Sequence, residues 1–170
     1  MTNPEKKSGL RIPMSPMRKT ALVAGIFYLL TFLSIPAFAL YGPVRSPNFI
    51  LGSGSETPVI LGAILEMIVA LAGIGTAVTL YPVLRRQDER RALGFVGSRI
   101  LEAATIYAGI VSLMSIVTLR QAGAGEEALS TNQALAAMYH WTFHFGQGFI
   151  PAVNAILLGS LLYQSRLVPR

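Results

Sequence analysis

Four long stretches of this chain are almost free of charge, and they constrain its fold more than any other feature. No charged residue occurs from Thr20 to Val44 or from Ala128 to Ser165. One occurs from Thr57 to Leu84, and two occur from Ala92 to Leu119. Each stretch is long enough to cross a bilayer, which requires ~20 mostly apolar helical residues. The sequence therefore predicts an all-α, polytopic bundle of about four transmembrane helices.

The composition excludes several other classes of protein. Charged residues make up 13% of the chain, whereas soluble domains carry roughly 25%. The net charge of +6 is compatible with nucleic-acid binding, but eleven of the fourteen basic residues flank the apolar stretches. We therefore predict the lipid bilayer, and no nucleic acid, as the partner. No cofactor is predicted, and the absence of cysteine excludes disulfides and thiolate metal sites.

Basic residues lie on alternate sides of these stretches. By the positive-inside rule, four crossings place both chain ends in the cytoplasm (N-in and C-in) and the loops with Arg45 and Arg120 outside. The predicted location is the cytoplasmic (inner) membrane, multi-pass. Anionic lipid headgroups are candidate partners at the cytoplasmic face, and a homo-oligomer remains an alternative. The three basic groups are Lys6, Lys7, Arg11, Arg18 and Lys19; Arg85, Arg86, Arg90 and Arg91; and Arg166 and Arg170.

Turn signals divide the chain into a tail and a bundle. Residues 1–19 are polar and contain three prolines, which predicts a disordered basic cytoplasmic tail. The bundle occupies 20–170, and Pro36 is expected to kink its first span. Gly146, Gly148 and Pro151 are expected to distort its last span. The predicted spans are about 20–40, 58–84, 92–119 and 136–163.

The start of the chain also resembles a signal peptide. A basic segment and an apolar run precede Ala37-Phe38-Ala39, which has the pattern of a cleavage site. The apolar run exceeds the ~7–15 residues of a usual signal core, so the sequence favours an uncut first span. Cleavage remains the alternative.

Charged residues inside hydrocarbon need partners, because an unpaired charge there costs several kcal/mol. Arg99 and Glu102 are three residues apart on one predicted helix, which allows a direct ion pair. Glu66 has no such neighbour in its own span. Small and polar rows in spans two and three are predicted to meet in the interior: Gly62, Glu66, Ala70 and Gly73, and Glu102, Thr105, Gly109 and Ser112.

A polar stripe also runs along span four, where residues recur at steps of four and three. Counting from the cytoplasmic arginines at ~1.5 Å per residue predicts two layers. Glu66 shares the outer layer with members of the stripe, and Arg99 and Glu102 share the inner layer with Asn154. The stripe consists of His140, His144, Gln147, Pro151 and Asn154, of which His144 and Gln147 are placed in the outer layer.

A metal site is a weaker interpretation of the outer layer. His140 and His144 together with Glu66 have the donor types of a three-point chelate. No acidic residue accompanies the histidines as in the HExxH motif, and both rings are compatible with an interfacial position. No metal is therefore predicted, and these three residues remain its only candidates.

Three segments resemble the bacterial membrane family catalogued as domain of unknown function 4386. They are residues 21–30 (ALVAGIFYLL), residues 97–102 (GSRILE) and residues 161–170 (LLYQSRLVPR). The resemblance spans nearly the whole chain, and the Arg-x-x-Glu of span three is its most specific part. It implies a multi-helix inner-membrane protein without an established activity. Members commonly continue into further helices, so a truncation after Arg170 is one expectation.

Three functions remain open on the sequence alone. The first, which the sequence favours over an enzyme, is a structural or accessory helical bundle in which Arg99 and Glu102 fix the helix packing. The second is a small-solute carrier or proton relay with a polar cavity around Glu66 and His144. The third is an intramembrane metal-dependent enzyme that uses His140, His144 and Glu66.

Overall fold

The computed structural model describes residues 14–165, and the regular elements in that range are all helical. The first span, Pro16–Leu40, contains α1 (Pro16–Leu30), a 3₁₀ turn (Thr31–Leu33) and α2 (Ser34–Leu40). The second and third spans are single helices, α3 (Thr57–Leu84) and α4 (Glu89–Gln121). Residues 1–13 and 166–170, which include most of the predicted tail and its basic residues, lie outside the described range.

The fourth span, Gly125–Ser165, is assembled from several helical pieces. A 3₁₀ turn (Gly125–Ala128) leads into α5 (Leu129–Phe143), a π-helical turn (His144–Phe149) and α6 (Ile150–Ser165). All four spans are long and apolar enough to cross a membrane. The predicted all-α fold with four spans is thereby confirmed.

Two helices begin earlier than the sequence predicts. α1 starts at Pro16, inside the segment predicted as a tail, because the Ser15 hydroxyl accepts a hydrogen bond from the Arg18 amide and caps the first turn. The fourth span starts near Gly125 rather than residue 136. Gly123 and Gly125 have φ of +70° and +59°, which reverses the chain directly after α4. The polar segment that follows is helical and continuous with α5.

Two prolines explain the irregular turns within the spans. A helical proline lacks the N–H that would bond to the carbonyl four residues earlier, and its ring crowds that carbonyl. For Pro36 this carbonyl belongs to Phe32, at the centre of the 3₁₀ turn. For Pro151 it belongs to Gln147, inside the π-helical turn. The predicted distortions of the first and fourth spans are confirmed.

Small residues let the helices approach closely. α3 and α4 form the centre of the bundle, with α1 and α2 against α3 and with α5 and α6 against α4. A Cβ at Gly62 would lie 2.8 Å from the Tyr41 ring, and one at Gly109 would lie 2.9 Å from the Thr142 hydroxyl. The rows predicted to meet in the interior are buried, apart from the half-buried Thr105.

Arg120 links the loop between the first two spans to the end of α4. Its guanidinium donates hydrogen bonds of 2.7–3.1 Å to the carbonyls of residues 52–54 and pairs with Glu56 at 3.2 Å. It also lies over the Phe49 ring, 4.4 Å from the centroid. These contacts hold the loop, which begins at Tyr41, against the end of the bundle.

The outer surface of the spans is apolar. Ile156 is 71% exposed, Leu29 is 69% exposed and Phe149 is 66% exposed. The polar residues in the middle of the spans point inward, where Glu66 and Asn154 are almost completely buried. This inside-out distribution is the one expected of helices surrounded by hydrocarbon.

Candidate functional site

The first buried polar group, the Glu102 cluster, consists of Arg99, Glu102 and Asn154. Arg99 Nη1 lies 2.9 Å from Glu102 Oε2, one turn along α4. Asn154 of α6 donates a hydrogen bond of 2.5 Å to the same oxygen. All three residues are at least nine-tenths buried. The predicted ion pair is confirmed, and it lies within one helix, so only the Asn154 bond joins two helices.

Arg99 is accommodated by a small residue and an aromatic ring. Gly73 of α3 faces the guanidinium, and a Cβ there would lie 3.7 Å from Arg99 Nη1. The Phe95 ring, one turn earlier on α4, has its centroid 5.7 Å from Arg99 Cζ. The small row of α3 thus provides the space for a cation inside the bundle.

A cavity of about 220 Å³ lies beside the Glu102 cluster. All three cluster residues line it, together with Val69 of α3 and Gln147 of the π-helical turn. Its two walls come from the first and the fourth spans. These wall residues are Tyr28, Thr31 and Ser34 on one side and Pro151, Ala155 and Leu158 on the other.

The Glu102 cluster is not fully hydrogen-bonded. Arg99 Nε and Asn154 Oδ1 are buried and make no hydrogen bond with any residue in the range 14–165. Most buried polar groups in proteins are paired, and an unpaired one costs about 1–3 kcal/mol. Unsatisfied polar atoms beside a cavity mark a place where a further polar group would be stabilised.

The second buried polar group, the Glu66 cluster, consists of Tyr41, Glu66 and Gln147. The Tyr41 hydroxyl donates a hydrogen bond of 2.9 Å to Glu66 Oε2. The Gln147 amide donates one of 2.7 Å to Glu66 Oε1. Both carboxyl oxygens are therefore satisfied, and the cluster joins the end of α2, the middle of α3 and the π-helical turn.

The Glu66 carboxylate is closely packed, and Gln147 is the member of its cluster that also lines the 220 Å³ cavity. The gap between Glu66, Gly109 and Thr142 is too small for a water molecule. The Tyr139 ring closes the side toward Tyr41, with centroids 5.3 Å apart in an edge-to-face arrangement. This tight packing makes the Glu66 cluster a connector of helices.

The two histidines do not join either cluster. His140 and His144 are exposed, and their ring centroids are 4.2 Å apart. They line a mostly apolar pocket with Arg45 and Phe38, while Glu66 bonds to Tyr41 and Gln147 instead. The expected cavity shared by Glu66 and His144 is therefore not formed.

The π-helical turn is the physical reason for this difference. The stripe prediction assumed a regular helix, in which residues seven apart share a face. Tyr139 and Gln147 both point inward although they are eight apart, because the turn adds one residue. Before the turn, Tyr139 therefore occupies the inward-facing position that the regular-helix prediction gave to His140.

The metal interpretation has no geometric support. Among residues 14–165, no group of three or more metal-ligating side chains lies close enough together to hold an ion. A three-point chelate would need the Glu66 carboxylate beside His140 and His144. The carboxylate instead accepts hydrogen bonds from Tyr41 and Gln147.

Depth counting identified one partner of each glutamate, but it also grouped His144 with Glu66, which does not bond to it. It grouped Glu66 with Gln147 and Glu102 with Asn154, and both hydrogen bonds are present. It did not identify Tyr41, which lies one residue beyond the first span. A usable signal was its position at the same end of the bundle as Glu66, because phenols at span ends are frequent hydrogen-bond donors.

The chain belongs to the family described as Domain of unknown function (DUF4386), whose family model matches residues 23–170. This confirms the resemblance carried by the three sequence segments. Comparisons with curated proteins and with solved structures find no match. The family assigns no activity, so the function must be argued from the geometry of the two clusters.

Proposed function

We propose that this DUF4386 member is an integral protein of the cytoplasmic membrane that binds a small polar group inside its bundle, at the Glu102 cluster. The observation that carries the proposal is the 220 Å³ cavity lined by a buried ion pair with unsatisfied neighbours. Charged residues within a bilayer are costly, and they usually serve a ligand or an ion path. The Glu102 cluster combines a buried ion pair with an adjacent cavity, whereas the Glu66 carboxylate is closely packed and has both oxygens hydrogen-bonded.

Membrane insertion and its orientation are part of the proposal. Four apolar spans, exposed apolar side chains and the basic loop between α3 and α4 support an N-in, C-in arrangement. The exposed arginines of that loop favour contact with anionic lipid headgroups. Because the chain has no cysteine, single cysteines at Gln87 and Ala124 would report opposite sides. Labelling of both from the same side would contradict the orientation.

The test of binding uses two tryptophan variants on neighbouring positions of α6. Ala155 lines the cavity, so Ala155→Trp fills it while Arg99 and Glu102 themselves stay unchanged. Ile156 is 71% exposed on the lipid side, so Ile156→Trp is the matched control. We expect native mass spectrometry of protein released from its membrane to show a bound small molecule on the wild type and on Ile156→Trp. We expect its occupancy to fall several-fold on Ala155→Trp.

A structural or accessory role is the second candidate function. It is favoured by the Asn154–Glu102 hydrogen bond, which ties α6 to α4 in the interior. The same measurement separates the two functions. An empty cavity in the wild type and both variants would favour the structural role and contradict the binding proposal.

A further inference from the structure

The cavity beside the Glu102 cluster opens sideways, between α1 and α6. Tyr28 on one wall is 49% exposed, and Ala155 on the other wall is also exposed. Tyr28 lies about 12 residues after the start of α1, and Ala155 about 10 residues before the end of α6. At ~1.5 Å per residue these positions are roughly 18 and 15 Å from the helix ends. In hydrocarbon ~30 Å thick, the opening faces the middle of the bilayer.

A ligand that enters at this depth arrives from lipid and not from water. Molecules that reach the bilayer centre carry an apolar tail or are small and uncharged, because charges there are strongly disfavoured. The rim of the opening matches an apolar tail, since Leu158, Ala155 and Pro151 form its α6 side. A ligand that enters by this route is therefore expected to be an amphiphile with an apolar tail.

The cluster itself selects the head group. Arg99 and Glu102 neutralise each other at 2.9 Å, so a charged head group would bring an unpaired charge into the interior. Arg99 bonds to Glu102 through Nη1, and both hydrogen bonds that Glu102 accepts go to Oε2. Within the range 14–165, Arg99 Nη2, a donor, and Glu102 Oε1, an acceptor, therefore have no hydrogen-bond partner. A group that both accepts and donates satisfies the two together.

We propose that the cavity binds the uncharged head group of a single-chain amphiphile, while the tail remains in the bilayer between α1 and α6. The head group is an amide, a protonated carboxylic acid or an alcohol, each of which accepts from Arg99 and donates to Glu102. At about 220 Å³ the cavity holds a head group but not a whole lipid. This inference rests on the binding function proposed above.

The probe for this proposal is hexadecanamide carrying a photoreactive diazirine in its tail. The full chain is placed in lipid nanodiscs, irradiated with the probe and digested for mass spectrometry. We expect crosslinks on the cavity walls, in segments 28–34 and 151–158. Unlabelled hexadecanamide and hexadecanol should compete at least about tenfold better than hexadecane, since the head group adds two hydrogen bonds.

Competition by other head groups defines the chemical class. Hexadecyltrimethylammonium, which is charged and has no hydrogen-bond donor, should compete no better than hexadecane. Competition of hexadecanoic acid that increases as the pH falls would identify the protonated acid as a ligand of the same class. Equal competition by hexadecane and hexadecanamide, or preference for the charged head group, would overturn the proposal.

Two variants test the location of the site. Ala155→Trp should lose the wall crosslinks, whereas Ile156→Trp should keep them. Thermal unfolding checks that both are folded, and Ser34→Leu on the opposite wall replaces Ala155→Trp if that variant is unstable. If a folded variant whose cavity is filled keeps the wall crosslinks, the proposal is overturned. If native mass spectrometry shows a ligand that depends on Ala155 but the amide does not compete, only this inference fails and the binding function stands.

Discussion

The two buried glutamates differ in what surrounds them, although each accepts a hydrogen bond from an amide of the fourth span. Glu66 has both oxygens paired and lies where no water fits. Glu102 has both its bonds on one oxygen and borders a cavity with unsatisfied atoms. We infer from this difference that Glu102 is the better candidate for a binding residue and that Glu66 mainly holds helices together.

The largest expected effect is that of Glu66→Ala on stability. The change leaves the buried Tyr41 hydroxyl and the half-buried Gln147 amide without their acceptor, which should lower the free energy of unfolding by about 2–4 kcal/mol. The double variant Arg99→Leu, Glu102→Leu should cost less, because it removes both charges of the buried ion pair together and leaves neither unpaired. Unfolding of Glu66→Ala and of the double variant in the same detergent checks the order, and a larger loss for the double variant would reverse our assignment of the two clusters.

The next effect concerns the π-helical turn that brings Gln147 to Glu66. Gly146 packs against Thr105, and a Cβ there would collide with the Thr105 hydroxyl and lie 3.0 Å from its Cβ. Gly146→Ala should therefore cost about 1–3 kcal/mol. Gly148, two residues later, has open space around it.

Gly148→Ala is accordingly the matched control for Gly146→Ala. It should change stability little, or raise it slightly, since alanine favours helix. Thermal unfolding of the two variants measures the difference. Equal behaviour of the two would show that close contact at this turn does not position the Glu66 cluster.

The smallest expected effect is that of Asn154→Leu. This change removes one hydrogen bond to Glu102 but also removes the unsatisfied Asn154 Oδ1, so stability should shift by less than about 1 kcal/mol. Gln147→Leu should cost more, because it leaves Glu66 Oε1 buried without a donor. Equal losses in unfolding experiments would remove the distinction between a closed and an open cluster.

Much of the architecture could be predicted from the sequence. The four spans follow from nearly charge-free segments long enough to cross hydrocarbon, and the Arg99–Glu102 pair follows from helical spacing alone. Pro36 and Pro151 indicated where the helices distort. Depth counting placed Gln147 level with Glu66 and Asn154 level with Glu102, and both hydrogen bonds are present.

The amino-acid sequence by itself thus determined the helices and the burial of their charged residues, since these depend on local periodicity and on the cost of charge in an apolar medium. Only the tertiary structure decided which face of the fourth span points inward. Because the π-helical turn contains one additional residue, Tyr139 faces the interior and His140 does not. The tertiary structure also decided that α1 and α6 stand apart beside Glu102 while Tyr41 closes the bundle over Glu66. Such gaps depend on how whole helices pack against each other, and no local sequence pattern specifies the distance between two helices.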